Sequence, residues 1–209
     1  MLDRFPTLVL PGNHDVYTRG AARQKRIQQF FRPWMGLDGN PGSVARLDVG
    51  PLTLLGLDPN HPGVLSSGFL PPEQLQGLDE VLRSPVLADR TVILGLHYPV
   101  LDRAGRLYAR FDHGLRNVAD LVALLEAAPV AILHGHRHHG YRTELRLGED
   151  RIPSFDPGSG GLAPRPRQRR IACMNLYEVG DDGSIEVERY VYGATGFQPE
   201  PGGPYASGF

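Results

Sequence analysis

Gly12-Asn13-His14-Asp15 follows the apolar run Leu8-Val9-Leu10 and precedes a segment with helical spacing. An apolar run that stops at a glycine and then presents an amide, an imidazole and a carboxylate reads as a strand opening into an active-site loop. Two later stretches repeat the arrangement. Thr91-Val92-Ile93-Leu94 leads to Gly95-Leu96-His97-Tyr98-Pro99, and Val130-Ala131-Ile132-Leu133 leads to His134-Gly135-His136-Arg137-His138-His139. Three short apolar strands therefore each end beside a small residue and a candidate metal ligand.

The pattern between these points alternates. Residues 7–10 read as a buried strand, and residues 18–31 as a helix carrying Ile27, Phe30 and Phe31 and closed by Pro33. Residues 44–49 and 52–57 flank Gly50-Pro51 as a hairpin. A helix opens at Pro71 or Pro72 and carries Leu75, Leu78, Val81 and Leu82 on one face. Residues 101–112 form a polar, arginine-rich excursion placed to lie over a site, and residues 114–128 a helix ended by Pro129. Beyond the histidine cluster only strands are expected: 141–147, 151–155, 170–179 and 184–191, the last two joined at Asp181-Asp182-Gly183. Strand–helix alternation followed by strands alone implies a layered α/β domain, with sheet packed on sheet and helices outside. The expected division is a domain over residues 1–192 and a loose Gly/Pro-rich tail over 193–209.

At 209 residues and 41% hydrophobic, the chain can bury one sizeable core. A net charge of -1 advertises no nucleic-acid or membrane partner. Lys25 is the only lysine, so almost all positive charge is arginine. Cys173 is alone, which suits a reducing cytoplasm, and no stretch is apolar enough to span a bilayer. The localisation read from the sequence is cytoplasmic.

The Asn13 amide oxygen can coordinate a hard or borderline cation, and the neutral imidazoles of His97, His136 and His138 suit zinc, manganese or iron. A His-x-His pair on an extended segment would send both rings to one side. Singly, each histidine is better read as a strand cap or a wet loop residue; together the four positions favour a metal. His14, beside a candidate ligand, suits an acid that protonates a leaving oxygen. Asp15 either orients His14 through its other ring proton or caps the helical segment that follows. His134 and His139 are expected to face away from the pair, and His61 and His113 to sit on loops that could line a substrate cleft. Arg165, Arg167, Arg169 and Arg170 read as a solvated basic loop, and Pro157-Gly158-Ser159-Gly160-Gly161 as a turn rather than a phosphate loop.

In this order, Gly12-Asn13-His14-Asp15, Gly95-Leu96-His97 and Gly135-His136-Arg137-His138 resemble the calcineurin-like metallophosphoesterases through most of the chain. The resemblance implies a four-layer α-β-β-α sandwich, a two-metal site at the strand ends, and phosphodiester hydrolysis by a metal-activated hydroxide. Asn13, His97 and His136 would then hold one ion and His138 the other, with His14 assisting the leaving group. Cyclic nucleotides, nucleic acid, phospholipid headgroups and phosphoproteins all occur as substrates in that family; the compact size and the His97-Tyr98-Pro99 stretch lean toward a small phosphoester such as a cyclic nucleotide, and neither membrane nor nucleic acid is expected as a partner. The family's Asp-x-His and Gly-Asp-x-x-Asp motifs, which precede the Gly-Asn-His-Asp strand, have no counterpart here. The expectation is therefore a sandwich incomplete at its N-terminus, from a chain lacking the segment with the bridging carboxylate. Two alternatives stand beside the hydrolase: a non-catalytic relative serving as a binding module, and a single-metal protein, including a lone zinc hydrolase using Asn13, His97 and His136.

Overall fold

The computed structural model describes all residues except 1, 19, 21–23, 38–39, 41, 62–65, 126–129, 165–169 and 209. Arg165, Arg167, Arg169 and Pro129 thus lie outside the described residues. Two sheets form the frame. The larger has six strands in the order β1-β2-β3-β4-β6-β5, where β1 is Ala45–Val49, β2 Leu52–Gly56, β3 Thr91–Gly95, β4 Val130–Leu133, β5 Tyr141–Leu147 and β6 Asp150–Asp156. The central strands β2, β3, β4 and β6 run parallel, and β1 and β5 close the two edges antiparallel through hairpins. Parallel strands buried on both faces need continuous apolar runs, which is why Val92-Ile93-Leu94 and Ala131-Ile132 do not alternate with polar residues.

The face of this sheet carrying Leu55, Val92, Leu94 and Ile132 packs on two helices, α3 (Pro72–Leu82) and α4 (Val118–Leu124), through Leu78, Val118 and Leu121. The opposite face, with Ile93, Ala131 and Phe155, meets a three-stranded antiparallel sheet of β7 (Cys173–Val179), β8 (Ile185–Gly193) and β9 (Gly196–Pro199) through Tyr177, Val179, Ile185 and Val187. The architecture is mixed α/β, with helices on one face of a mixed sheet and a second sheet on the other.

Three local expectations are corrected. Residues 7–10 belong to neither sheet; among the described residues, a backbone bond from the Val9 N–H to the Trp34 carbonyl at 2.8 Å ties them down. Leu10 instead lies across the ends of β2 and β3, in a trough left by Gly56 and Gly95, where an added Cβ would run into its methyl groups. Helix α2 spans Arg26–Met35, runs past Pro33 and stops at Gly36, whose left-handed φ of 61° ends the helix as Pro33 does not. The C-terminal stretch is packed rather than loose. Gly196–Pro199 pairs with β8, and Glu200 is buried against Arg189 at 2.8 Å.

Glycine at position 77, in the middle of α3, ordinarily weakens a helix by roughly 1 kcal/mol relative to alanine. Here its bare Cα faces the carbonyl oxygen of Gly42, and a methyl group would overlap it. Gly77→Ala is therefore expected to lower the denaturant midpoint, against the helix-propensity sign. An increase would mean that the 42–43 loop moves aside freely.

Candidate functional site

Each parallel strand of the large sheet delivers its C-terminal end to one edge, where open α/β sheets bind ligands. β3 delivers His97, β4 delivers His134 and His136, β6 ends at Asp156, and β2 leads to Asp58 and Asn60. The Gly12 loop closes over this edge. Asn60 fixes it there: its side-chain amide donates to the Pro11 carbonyl at 2.8 Å and to the Asp58 carboxylate at 2.8 Å. Gly12 lies flat on the His97 ring, with room for no side chain without displacement, since an ideal Cβ would stand 3.0 Å from Cε1.

Three of the sequence candidates meet at one atom. His97 Nε2 lies 2.8 Å from Asn13 Oδ1 and 3.1 Å from His136 Nδ1. An imidazole nitrogen has a single in-plane site, either a lone pair or an N–H. It cannot be well bonded to two partners at once. Donors held about 2.0–2.2 Å from a common ion would stand about 3 Å apart at right angles and about 3.4 Å apart in a tetrahedron. The two observed separations lie near the right-angle value and short of the tetrahedral one.

Asn13 is buried, and the two rings are half-buried. Burial, then the neighbouring His136, pushes the pKa of His97 down to about 3. Burial, then His113, pushes that of His136 down to about 4. Both rings are therefore neutral at pH 7, with lone pairs available. Tyr98 packs against both, edge-on to His97 at 5.1 Å and tilted to His136 at 4.6 Å.

The remaining candidates are placed differently. His138 is half-buried and close enough for its charge to bear on His97 and His136, but it is not bonded to them among the described residues. The expected extended His-x-His backbone is corrected: His136 and His138 have φ of 72° and 58°, a left-handed conformation that disfavours side chains by about 1–2 kcal/mol per residue. His14 is exposed on α1 (Asn13–Val16), a one-turn helix where a loop was expected, 5.9 Å from the ring of Tyr17 and nearly parallel to it. Asp15 takes the capping role; its carboxylate accepts the Gly12 N–H at 2.8 Å and is not bonded to His14 among the described residues.

Residues outside the candidate ligand set complete the surroundings. Gln74, reaching in from α3, accepts the Asp58 N–H at 3.2 Å. Burial pushes the Asp58 carboxyl up against the bonds from Asn60, and the nearby Asp15 charge adds to the rise. His134 points into the core, its side chain fully buried 3.6 Å from the equally buried Asp156. Gln74 carries no motif, so only packing could have found it, and Tyr98 lies within the quoted Gly95–Pro99 stretch without a role assigned to it. His134 and Asp156 each end a strand at the same edge.

Among the described residues, no three His, Cys, Asp or Glu side chains gather so as to hold a metal ion, and no helix is long and apolar enough to cross a membrane. The cluster described above depends on an asparagine as its third donor. No protein-family model and no curated protein matches the chain.

Proposed function

We propose that this chain carries part of a divalent-metal phosphoesterase site of the calcineurin-like type, acting on phosphodiesters, within an α-β-β-α sandwich frame. The observation that carries the reading is the convergence of Asn13 Oδ1, His97 Nε2 and His136 Nδ1 on one point. Bound there, Mn²⁺, Fe²⁺ or Zn²⁺ would supply Lewis acidity toward a phosphoryl oxygen and an activated water. The chain's own residues set the terms. To present Nε2, His97 keeps its proton on Nδ1; to present Nδ1, His136 keeps its proton on Nε2. Burial holds both rings in the neutral form that this role requires. Asn13 adds a neutral oxygen, fixed by the Asn60–Pro11 clamp on its loop. His14, exposed beside Asn13, would hand a proton to a leaving oxygen.

All three donors are neutral. That observation favours the second reading, a single-ion binding protein without turnover. Calorimetry with Mn²⁺ and Zn²⁺ tests the shared premise. The expected result is one ion per chain, with binding weakened in His97→Ala and His136→Ala by more than the roughly 10–100-fold associated with outer-shell changes. Unchanged binding in both variants would sink both readings. Phosphodiester turnover on adding a segment bearing Asp-x-His and Gly-Asp-x-x-Asp would then choose the hydrolase; binding without turnover would choose the single-ion protein.

A further inference from the structure

We propose that the excursion between β3 and α4 is the substrate-contacting wall of this site, with His113 touching the phosphoryl group and Arg116 reading the ester substituent. The inference rests on the phosphoesterase reading above and names the residues that would select its substrate. The excursion is fixed at both ends. Its first turn is wrapped around Asp102, whose carboxylate accepts the N–H groups of Ala104 and Arg106 and the Arg106 guanidinium. It returns to the scaffold when the Tyr108 N–H meets the Val100 carbonyl at 2.8 Å. The far end closes at Gly114, whose N–H donates to the Arg110 carbonyl at 2.8 Å. A Cβ there would collide with the backbone of Tyr108 and Arg110, so the closure needs glycine.

The closed loop is then tied to the floor of the site. Gly68 donates to the Gly114 carbonyl at 2.9 Å and accepts the Arg116 N–H at 3.0 Å. Gly68 itself lies on the Tyr98 ring, where a side chain would overlap the ring carbons. Asn117 braces the same junction, its amide bonded to both the N–H and the carbonyl of Leu70. From the other side, the Arg137 guanidinium donates to the Tyr108 hydroxyl at 2.6 Å, linking the wall to the loop that carries His136 and His138.

This bracing brings the His113 ring 6.1 Å from that of His136, with half of its side chain still open to solvent. His113 can therefore reach a group held at the cluster. Its acidic neighbour Asp112, 3.9 Å away, has both oxygens engaged by Arg110 at 3.0 Å. Three residues along the wall, Arg116 lies over the Phe69 ring at 5.2 Å and donates to His61 Nε2 at 3.0 Å. That contact makes His61 a neutral acceptor and pins the guanidinium in place. The rest of its fork faces solvent, since Arg116 is exposed. A planar donor fork held over an aromatic ring suits an anionic ligand whose substituent bears hydrogen-bond acceptors.

The probes are inorganic phosphate and adenosine 5′-monophosphate, titrated calorimetrically into the full chain with and without Mn²⁺. His113→Ala is expected to weaken both by about tenfold, and Arg116→Ala to weaken the nucleotide by about tenfold while sparing phosphate. Both positions are exposed, so folding is not at stake. Variants that bind both probes as the parent does, or a parent that binds neither, overturn the wall. If Mn²⁺ binds through His97 and the probes ignore both variants, only the wall falls. If no Mn²⁺ binds and probe binding still needs His113 and Arg116, the wall stands and the metal reading falls.

Discussion

Between pH 6.5 and about 4, the folded protein is expected to lose several kcal/mol of stability through His97 and His136 alone. The sign follows from proton counting. Both rings ordinarily titrate at 6.5, but burial, with His136 beside His97 and His113 beside His136, holds them at about 3 and about 4 in the folded chain. Across that window the unfolded chain binds protons that the folded chain refuses, so acid favours unfolding. The loss begins as pH falls through 6.5 and levels off below the folded values. Asp58 and Asp156 act in the opposite direction, because burial raises their pKa values and the folded state holds their protons more tightly. Parent and variants must therefore be compared at each pH. His97→Gln and His136→Gln remove one titrating ring each, and each should flatten the fall in denaturant midpoint between pH 6.5 and 4. A difference between parent and variant that does not change with pH would refute the assignment of the acid limb to these rings.

The elements whose own residues decide them were legible. Val92-Ile93-Leu94 and Ala131-Ile132 fill both faces of a parallel sheet, and the small residues and histidines that follow lie at one edge because parallel strands share a direction. Leu8-Val9-Leu10 was misleading for a non-local reason. Its apolar pattern suits a strand, but Gly56 and Gly95 offer Leu10 a groove on the sheet surface rather than a place in the ladder. The left-handed turns at His136 and His138 are not encoded by residue type, since histidine only tolerates that conformation. His113 could be named as a loop residue, but its approach to His136 depends on closure at Gly114 and the brace at Asn117. The Gly/Pro-rich composition beyond residue 193 hid Glu200, because nothing near it in sequence shows that its partner is buried in β8.

That partnership sets the largest stability effect expected in the molecule. Arg189 and Glu200 are both fully buried and 2.8 Å apart, and Glu200 also accepts the N–H groups of Tyr205 and Ser207 and the Ser207 hydroxyl. Burial alone would raise the Glu200 carboxyl, but the bonds from Ser207, Arg189 and Tyr205 outweigh it and hold it below its ordinary 4.5. Its contribution is thus present above pH 4.5 and lost as pH falls through the folded value, a window below the one set by the histidines. Glu200→Ala leaves a buried guanidinium without its carboxylate, and should lower unfolding free energy at pH 7 by about 3–5 kcal/mol. Replacing both partners, as in Arg189→Met with Glu200→Leu, should recover much of that loss because no charge is stranded. Denaturant midpoints decide it; a Glu200→Ala variant within about 1 kcal/mol of the parent would show that water or a rearranged tail supplies the missing partner. The effect should also reach the site. The guanidinium sits where a side chain at Gly140 would be, two residues beyond His138, and reaches the Pro157 carbonyl just past β6. Arg189 therefore acts as a wedge beneath the loop that presents His136 and His138. Loss of Glu200 should weaken Mn²⁺ binding even where the variant remains folded, and the apolar double replacement should restore stability more fully than it restores the metal site.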